Sequence, residues 1–471
     1  MRKIVIGALF LCVFPLLSPA QSLDEVIRLA QDSTLTAFQS RYEYEFYTQK
    51  YAQFEALRKP QLELRFKPNY MKVVTDPGRD YVYIRNFNRF STSAQLQLTQ
   101  KVLGLGGEAY VGSHALWSEY FRGDQRDMPR EFVTVPLVLG YEQSLLGYNP
   151  YRWEKAVEEK RMEAARKQLN YQLHLIAEEA TRRFFRLACA QGMLDMCERN
   201  KQTADTLYAI AREKAGIAMV TLAELRSLEL QRLNAANALL SARNEEQLAR
   251  ESLAAYLRTD VLPAGSRLTV PTLSRGVPMT NEDALEMARS SSPALQQQEV
   301  ALTEALQQQE KARKERGAKV GVDLNIGMQQ LHSNFFGTFK DPQLYMVGAV
   351  TLSIPLIDHG AARKGQAAAI AWRQREEQAM KEVERSLSED VLTTLDNLRS
   401  HEQLLSRTAE AVTLADEVFE LTAENYANGL CDINTYSLSQ SRRDNAYNQH
   451  LTALANYWTT YYHLLTLTQH E

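Results

Sequence analysis

Lys319-Val320-Gly321-Val322-Asp323-Leu324-Asn325-Ile326-Gly327-Met328 alternates without a break over ten residues. The even positions are all apolar, and the odd ones are small or polar. Successive side chains of a strand leave opposite faces, so this segment reads as a strand with one greasy face and one wet face. A strand of about 9–11 residues with that dyad pattern suits a membrane barrel, with lipid outside and water inside. A half-exposed sheet of a soluble protein alternates too, so the rest of the chain has to decide.

Upstream, Gln61-Leu62-Glu63-Leu64-Arg65-Phe66 alternates in the same way. Glu63, Arg65, Asp323 and Asn325 are therefore the candidate pore-lining face. Returning strands are expected over 133–141 and 346–354. The stretches 81–90 and 334–337 are aromatic and turn-rich, which suits an interfacial girdle and outer loops.

The two alternating strands belong to an internal repeat. Ser22-Leu-Asp-Glu-Val-Ile-Arg-Leu-Ala-Gln-Asp-Ser reappears as Thr280-Asn-Glu-Asp-Ala-Leu-Glu-Met-Ala-Arg-Ser-Ser, 258 positions on. The same shift carries Leu62, Leu64 and Phe66 onto Val320, Val322 and Leu324. Later the shift becomes 211: Leu145-Leu146 falls on Leu356-Ile357, and Ile176, Ala180, Phe184 and Leu187 fall on Leu387, Val391, Leu395 and Leu398. The first copy thus carries 47 extra residues between its strands. They read as a hairpin within about 70–140, with a strand at 94–98, a turn at 104–107 and a weaker strand to about Trp117. The reading gives a first repeat at 21–258, a linker at 259–279 and a second repeat at 280–471.

Each copy runs helix, strands, very long helix, break, helix. Apolar residues at mostly three- and four-residue steps predict one long helix over about 150–214, roughly 90 Å at ~1.5 Å per residue. The second is expected over about 361–426. Lys214-Ala215-Gly216-Ile217 and Ala427-Asn428-Gly429-Leu430 end them with a glycine just past the last turn. Further helices follow over 221–257 and 434–467. Seams this long need equally long partners, so antiparallel packing is expected.

Met1-Arg2-Lys3 followed by an apolar run to Leu17 and Ser18-Pro19-Ala20 reads as a secretory signal peptide (1–20) cut at Ala20/Gln21. Without Arg2 and Lys3 the balance is 52 basic against 57 acidic residues, a charge of −5. No basic stripe offers itself to nucleic acid. Cys189, Cys197 and Cys431 are too few and too scattered for a disulfide framework. His359 beside Asp358 lacks a second ligand at helical spacing. No nucleophile elbow or phosphate loop occurs. The expectation is no enzyme and no cofactor or metal.

In order, doubling and spacing of parts, the chain resembles the TolC family of outer-membrane efflux proteins. The likeness rests on Leu23 to Ala30 and Glu282 to Ala288, on Ser353-Ile-Pro-Leu-Ile-Asp-His-Gly360, and on Tyr426-Ala-Asn-Gly-Leu430. The resemblance implies a mainly α fold with β: a trimeric α-helical barrel of long antiparallel coiled-coil helices joined to a transmembrane β-barrel, two repeats per chain. It implies a homotrimer in outer-membrane lipid, working with a periplasmic adaptor and an inner-membrane pump as a passive conduit for small molecules such as drugs, metals or toxins. Gly216, Ile217, Ala218, Gly429, Leu430 and Cys431 are then the periplasmic tip and adaptor-docking candidates. Asp432 and Glu224 are possible gate charges. The alternatives are a type I protein secretion duct and a soluble periplasmic coiled-coil scaffold.

Overall fold

The computed structural model describes residues 22–73, 87–122, 130–145, 147–215, 220–258, 267–271 and 279–469. The expected leader and its cleavage point, most of the 259–279 linker, the aromatic residues 81–86 and the first tip (Gly216, Ile217, Ala218) lie outside the described residues. In chain order the elements are α1 (Leu23–Ser33), α2 (Leu35–Leu57), β1 (Gln61–Val73), β2 (Phe87–Val102), β3 (Gly107–Arg122), β4 (Arg130–Ser144), α3 (Pro150–Ala215) and α4 (Leu222–Leu257). Then come α5 (Asn281–Ser291), α6 (Pro293–Glu315), β5 (Lys319–His332), β6 (Gln343–Ser353), α7 (Ala361–Ala427) and α8 (Ile433–Thr468). The two long helices have 66 and 67 residues. The chain divides into two compact units, and each draws on both repeats. One comprises Met1–Tyr44, Arg166–Pro293 and Glu384–Glu471; the other comprises Glu45–Ala165 and Ala294–Val383.

In the first, helical unit the repeat is visible at the level of single bonds. Ser22 and Glu25 form a reciprocal capping box at α1, and Thr280 with Asp283 does the same at α5. Each cap satisfies two backbone groups that a helix start leaves unpaired. Ile176, Ala180, Phe184 and Leu187 of α3 are buried with Val26 and Ala30 of α1 and with Leu253 and Leu257 of α4. Their shifted equivalents Val391, Leu395 and Leu398 of α7 are buried with Ala284 and Ala288 of α5 and with Leu464 of α8. Ser33 Oγ donates to the Leu257 carbonyl at 2.7 Å, and Ser291 Oγ to the Leu467 carbonyl at 3.5 Å. The duplicated sequence folds as a duplicated core.

The helices run antiparallel, as their partners show. Arg183 bonds Ser252 and Arg186 pairs with Glu245, joining α3 to α4; Glu178 pairs with His463 and Asn200 with Asp444, joining α3 to α8. Cys189, Cys197 and Cys431 are unpaired thiols. Burial pushes the Cys189 thiol up to about 11, so it packs as a small apolar residue and not as a nucleophile.

The second unit holds one six-stranded antiparallel sheet in the order β1-β2-β3-β4-β5-β6. The extra residues of the first repeat are thus two neighbouring strands of the sheet. β1 continues past Phe66 through Pro68 to Val73, which an edge strand tolerates because an edge can spare one backbone donor. Residues 87–90, expected with the aromatic loop, already belong to β2, and β3 extends five residues past Trp117. A shift of register between Thr134 and Leu137 brackets Pro136, which cannot donate to a ladder. The aromatic stretch at 334–337 opens a short 3-10 turn, Phe335–Phe339.

Candidate functional site

Directly opposed residues of an antiparallel pair share a face, so the pairing register sorts the sheet into its two sides. One row runs Leu62, Leu98, Val111, Leu139, Ile326 and Met346 across all six strands. Every member is between 40% and 70% exposed. The adjacent row on the other face runs Gln61, Thr99, Tyr110, Gly140, Asn325 and Val347, and Glu63 heads the next with Gln97. Glu63, Arg65, Asp323 and Asn325 therefore share a single face, as their odd numbering requires.

In the central strands the normal relation of burial and polarity is inverted. Leu324, Ile326, Leu96 and Leu98 are exposed, whereas Asp323, Asn325, Gln95 and Gln97 between them are half-buried. A water-soluble sheet hides the opposite face. The polar side satisfies itself: Arg65 pairs with Glu63 at 3.0 Å, Gln95 donates to Gln97 at 2.7 Å, and Gln97 donates to Thr99 at 3.2 Å. Tyr110 donates to Asn325 Oδ1 at 2.5 Å. That reach crosses β4 at Gly140, where an added Cβ would stand 2.2 Å from the Tyr110 ring.

The strand-to-helix junctions are built by capping side chains. Asp358 accepts from the backbone N–H of Gly360 at 2.9 Å and of Ala362 at 3.1 Å. Those two donors hold its carboxyl below the usual carboxylate range. His359 sits in the left-handed region at φ 51. Among the described residues no cluster of His, Cys, Asp or Glu could hold a metal. Asn149 caps α3 similarly, accepting from Tyr151 at 3.1 Å.

The helix break lies in the first unit. Gly429 has φ +74, a left-handed turn that favours glycine. Leu430 beyond it is 75% exposed. Cys431 Sγ donates to the Thr422 carbonyl at 3.6 Å. Asp432 is the N-cap of α8, accepting from Thr435 N at 2.9 Å and Thr435 Oγ1 at 2.6 Å; both bonds lower its pKa. Glu224, in the first turn of α4, helps burial to raise the Tyr426 phenol. Beneath the break, Ala211, Leu228, Ile433 and Tyr436 are buried together with Phe419 and Tyr426 against them, and the Arg443 guanidinium lies 3.9 Å from the Phe419 ring centroid. This aromatic pack, which clamps the ends of α3, α4, α7 and α8, escaped the sequence reading. Its signal was the Phe419, Tyr426, Tyr436 spacing around the glycine.

One titratable contact adds a pH dependence. His463 lies 3.0 Å from Glu178. The hydrogen bond to Glu178 raises the imidazole pKa against the opposing effect of burial, with Asp390 adding to the rise and Arg182 opposing it. A raised pKa means stability present below the unfolded value near ~6.5 and lost as pH climbs through the folded one. Melting of the protein at pH 6 and pH 8.5 is expected to differ in that direction, with the difference shrinking in His463→Gln. An unchanged difference would mean that this pair carries none of it.

Residues 284–468 match the family model described as Outer membrane efflux protein, which spans the second repeat. No curated protein sequence matches the chain. Among solved structures the fold is similar to a membrane protein from Pseudomonas aeruginosa, at 15% identity and TM-score 0.69, covering 95% of this chain and 90% of that one. It is similar to the outer membrane protein VceC from Vibrio cholerae, at 12% identity and TM-score 0.68, with 95% of each chain covered. It is also similar to the CmeC outer membrane channel of Campylobacter jejuni, at 12% identity and TM-score 0.67, covering 95% and 85%.

Proposed function

We propose that this protein is an outer-membrane exit duct of an efflux system, a passive conduit with no catalytic step. Three copies close their sheets into one barrel, and their long helices continue it as a tunnel through the periplasm. The observation that carries this reading is the exposed apolar row that crosses all six strands, Leu62 to Met346, with a polar row behind it. A closed barrel leaves no backbone group unsatisfied in lipid. The match of the second repeat to the efflux-protein model supports the same destination. A soluble scaffold would have to leave that entire apolar face in water.

Under this reading the polar face lines a wet pore, with Glu63, Arg65, Asp323 and Asn325 in it. Gly429, Leu430 and Cys431, together with Gly216, Ile217 and Ala218, form the periplasmic tip offered to an adaptor, whose inner-membrane pump supplies the energy. Asp432 and Glu224 are the gate candidates. Because Asp432 already caps α8, a gate built on it must break that cap to open, and Asp432→Ala would both free the gate and fray the helix by about 1 kcal/mol. Fractionation of cells expressing the full chain tests the main reading: the protein is expected in the outer membrane as a species of three copies. Release of a monomer with the periplasmic contents would overturn it.

A further inference from the structure

Resting on that duct reading, we infer that the β2–β3 hairpin is a pore-widening wall element, giving this duct eighteen barrel strands and a lumen for bulkier polar solutes. The repeat supplies the reference. β5 and β6 form the second copy's strand pair, and β1 and β4 are their counterparts in the first. Without the 47 extra residues each chain would bring four strands, and three chains twelve. With β2 and β3 paired between β1 and β4, each chain brings six.

Four observations place the hairpin in the wall and not beside it. β2 pairs with the whole of β1 through Phe87 to Thr99, and β3 pairs with β4 from Glu108 to Glu119. Its outward residues continue the lipid-facing rows, Leu96 opposite Leu64 and Leu98 between Leu62 and Val111. Its other side carries the amide and hydroxyl ladder Gln95, Gln97, Thr99, and Tyr110 reaches across to Asn325 on the same polar face. Finally, its turn end is fastened to the last residues of β4 and to the start of α3. Asn149 donates to the Leu103 carbonyl at 2.9 Å, Gln143 donates to the Leu105 carbonyl at 3.0 Å, and Tyr151 donates to Glu108. Gly106, at φ +79, is packed so closely that a Cβ would stand 2.8 Å from Asn149. A flap or plug would need none of these.

Each hairpin strand has 16 residues, long enough to span a bilayer at a tilt. Barrel diameter grows roughly linearly with strand number, so eighteen strands give a lumen about half again as wide as twelve. The added lining presents amides and hydroxyls, which suits hydrated polar cargo more than apolar drugs.

Cysteine accessibility separates the possibilities. In a full-length chain with Cys189, Cys197 and Cys431 replaced by alanine, Gln97→Cys and Leu96→Cys test the hairpin, while Asp323→Cys and Leu324→Cys test β5. With a membrane-impermeant maleimide on the assembled protein in vesicles, Gln97→Cys is expected to react at least tenfold faster than Leu96→Cys, matching the Asp323→Cys to Leu324→Cys ratio. Equal rates at 96 and 97 with the β5 ratio intact would remove the hairpin from the wall and overturn the inference. Equal rates at both pairs would instead overturn the duct reading beneath it. Width is read by the largest neutral polymer entering from the barrel mouth. Excising the hairpin in a chain that still inserts should lower that size limit by about a third, and an unchanged limit would overturn the widening.

Discussion

Leu324→Arg is expected to abolish assembly into the outer membrane, while Asp323→Arg, one residue away, leaves it intact. Leu324 is 43% exposed on the apolar face, between Tyr141 and Gly348. A cation on the lipid side of a barrel costs about 2–4 kcal/mol near the midplane, and a three-copy barrel incurs that cost three times. Asp323 faces the other way, directly opposite Glu142. An arginine there meets a carboxylate in water and replaces two like charges by an opposite pair. Val322→Arg, on the same face as Leu324, should fail as Leu324→Arg does. Heat-stable oligomer in the outer-membrane fraction is the readout. Equal tolerance at 323 and 324 would refute the two-solvent sheet.

The second large effect belongs to the helical core. Phe184 is fully buried in the seam of α3, its ring 5.3 Å from that of Phe185. Phe184→Ala deletes most of a side chain from a close-packed site and should cost about 3–5 kcal/mol, the lost transfer energy plus the cavity left behind. Leu395, its repeat equivalent on α7, is 3% exposed, and Leu395→Ala should cost about 2–5 kcal/mol. Thermal melting followed by helical ellipticity is the measurement. A solvent-side change such as Glu389→Gln should move the midpoint little. If Phe184→Ala melted like the native protein, the seam would not be the core it is taken to be.

Legibility followed the strength of the burial pattern. The α3 and α7 seams were readable because one side of each helix is buried over many turns, which forces the 3.6-residue period onto the sequence. β5 was readable at period two because its even residues from 320 to 328 are all apolar and its odd ones small or polar. β3 was faint: its outward residues include Ser113 and Ala115, and the register shift between Gly112 and His114 breaks the alternation there. β4 hid its bulge behind Pro136, and residues 87–90 resembled a loop because aromatics serve both as girdle and as strand. At the helix break, Asp432 could be seen as an acidic residue near a glycine, but not as the cap of α8. That role depends on the backbone N–H of Thr435, and a backbone donor has no letter in the sequence.

The open edges of the sheet impose an order on biogenesis. β1, of 13 residues, and β6, of 11, each leave one side of their ladder unpaired among the described residues, with leucines beside it, the arrangement that invites promiscuous strand pairing. Because six strands alternate in direction, β6 points opposite to β1, so in the proposed barrel a neighbour's β1 would complete an antiparallel join. A lone chain is thus self-adhesive at both ends of its sheet. Its yield should depend on how quickly siblings meet compared with how quickly stray strands do. A carrier that masks these two borders in transit would favour the proposed ring over tangles.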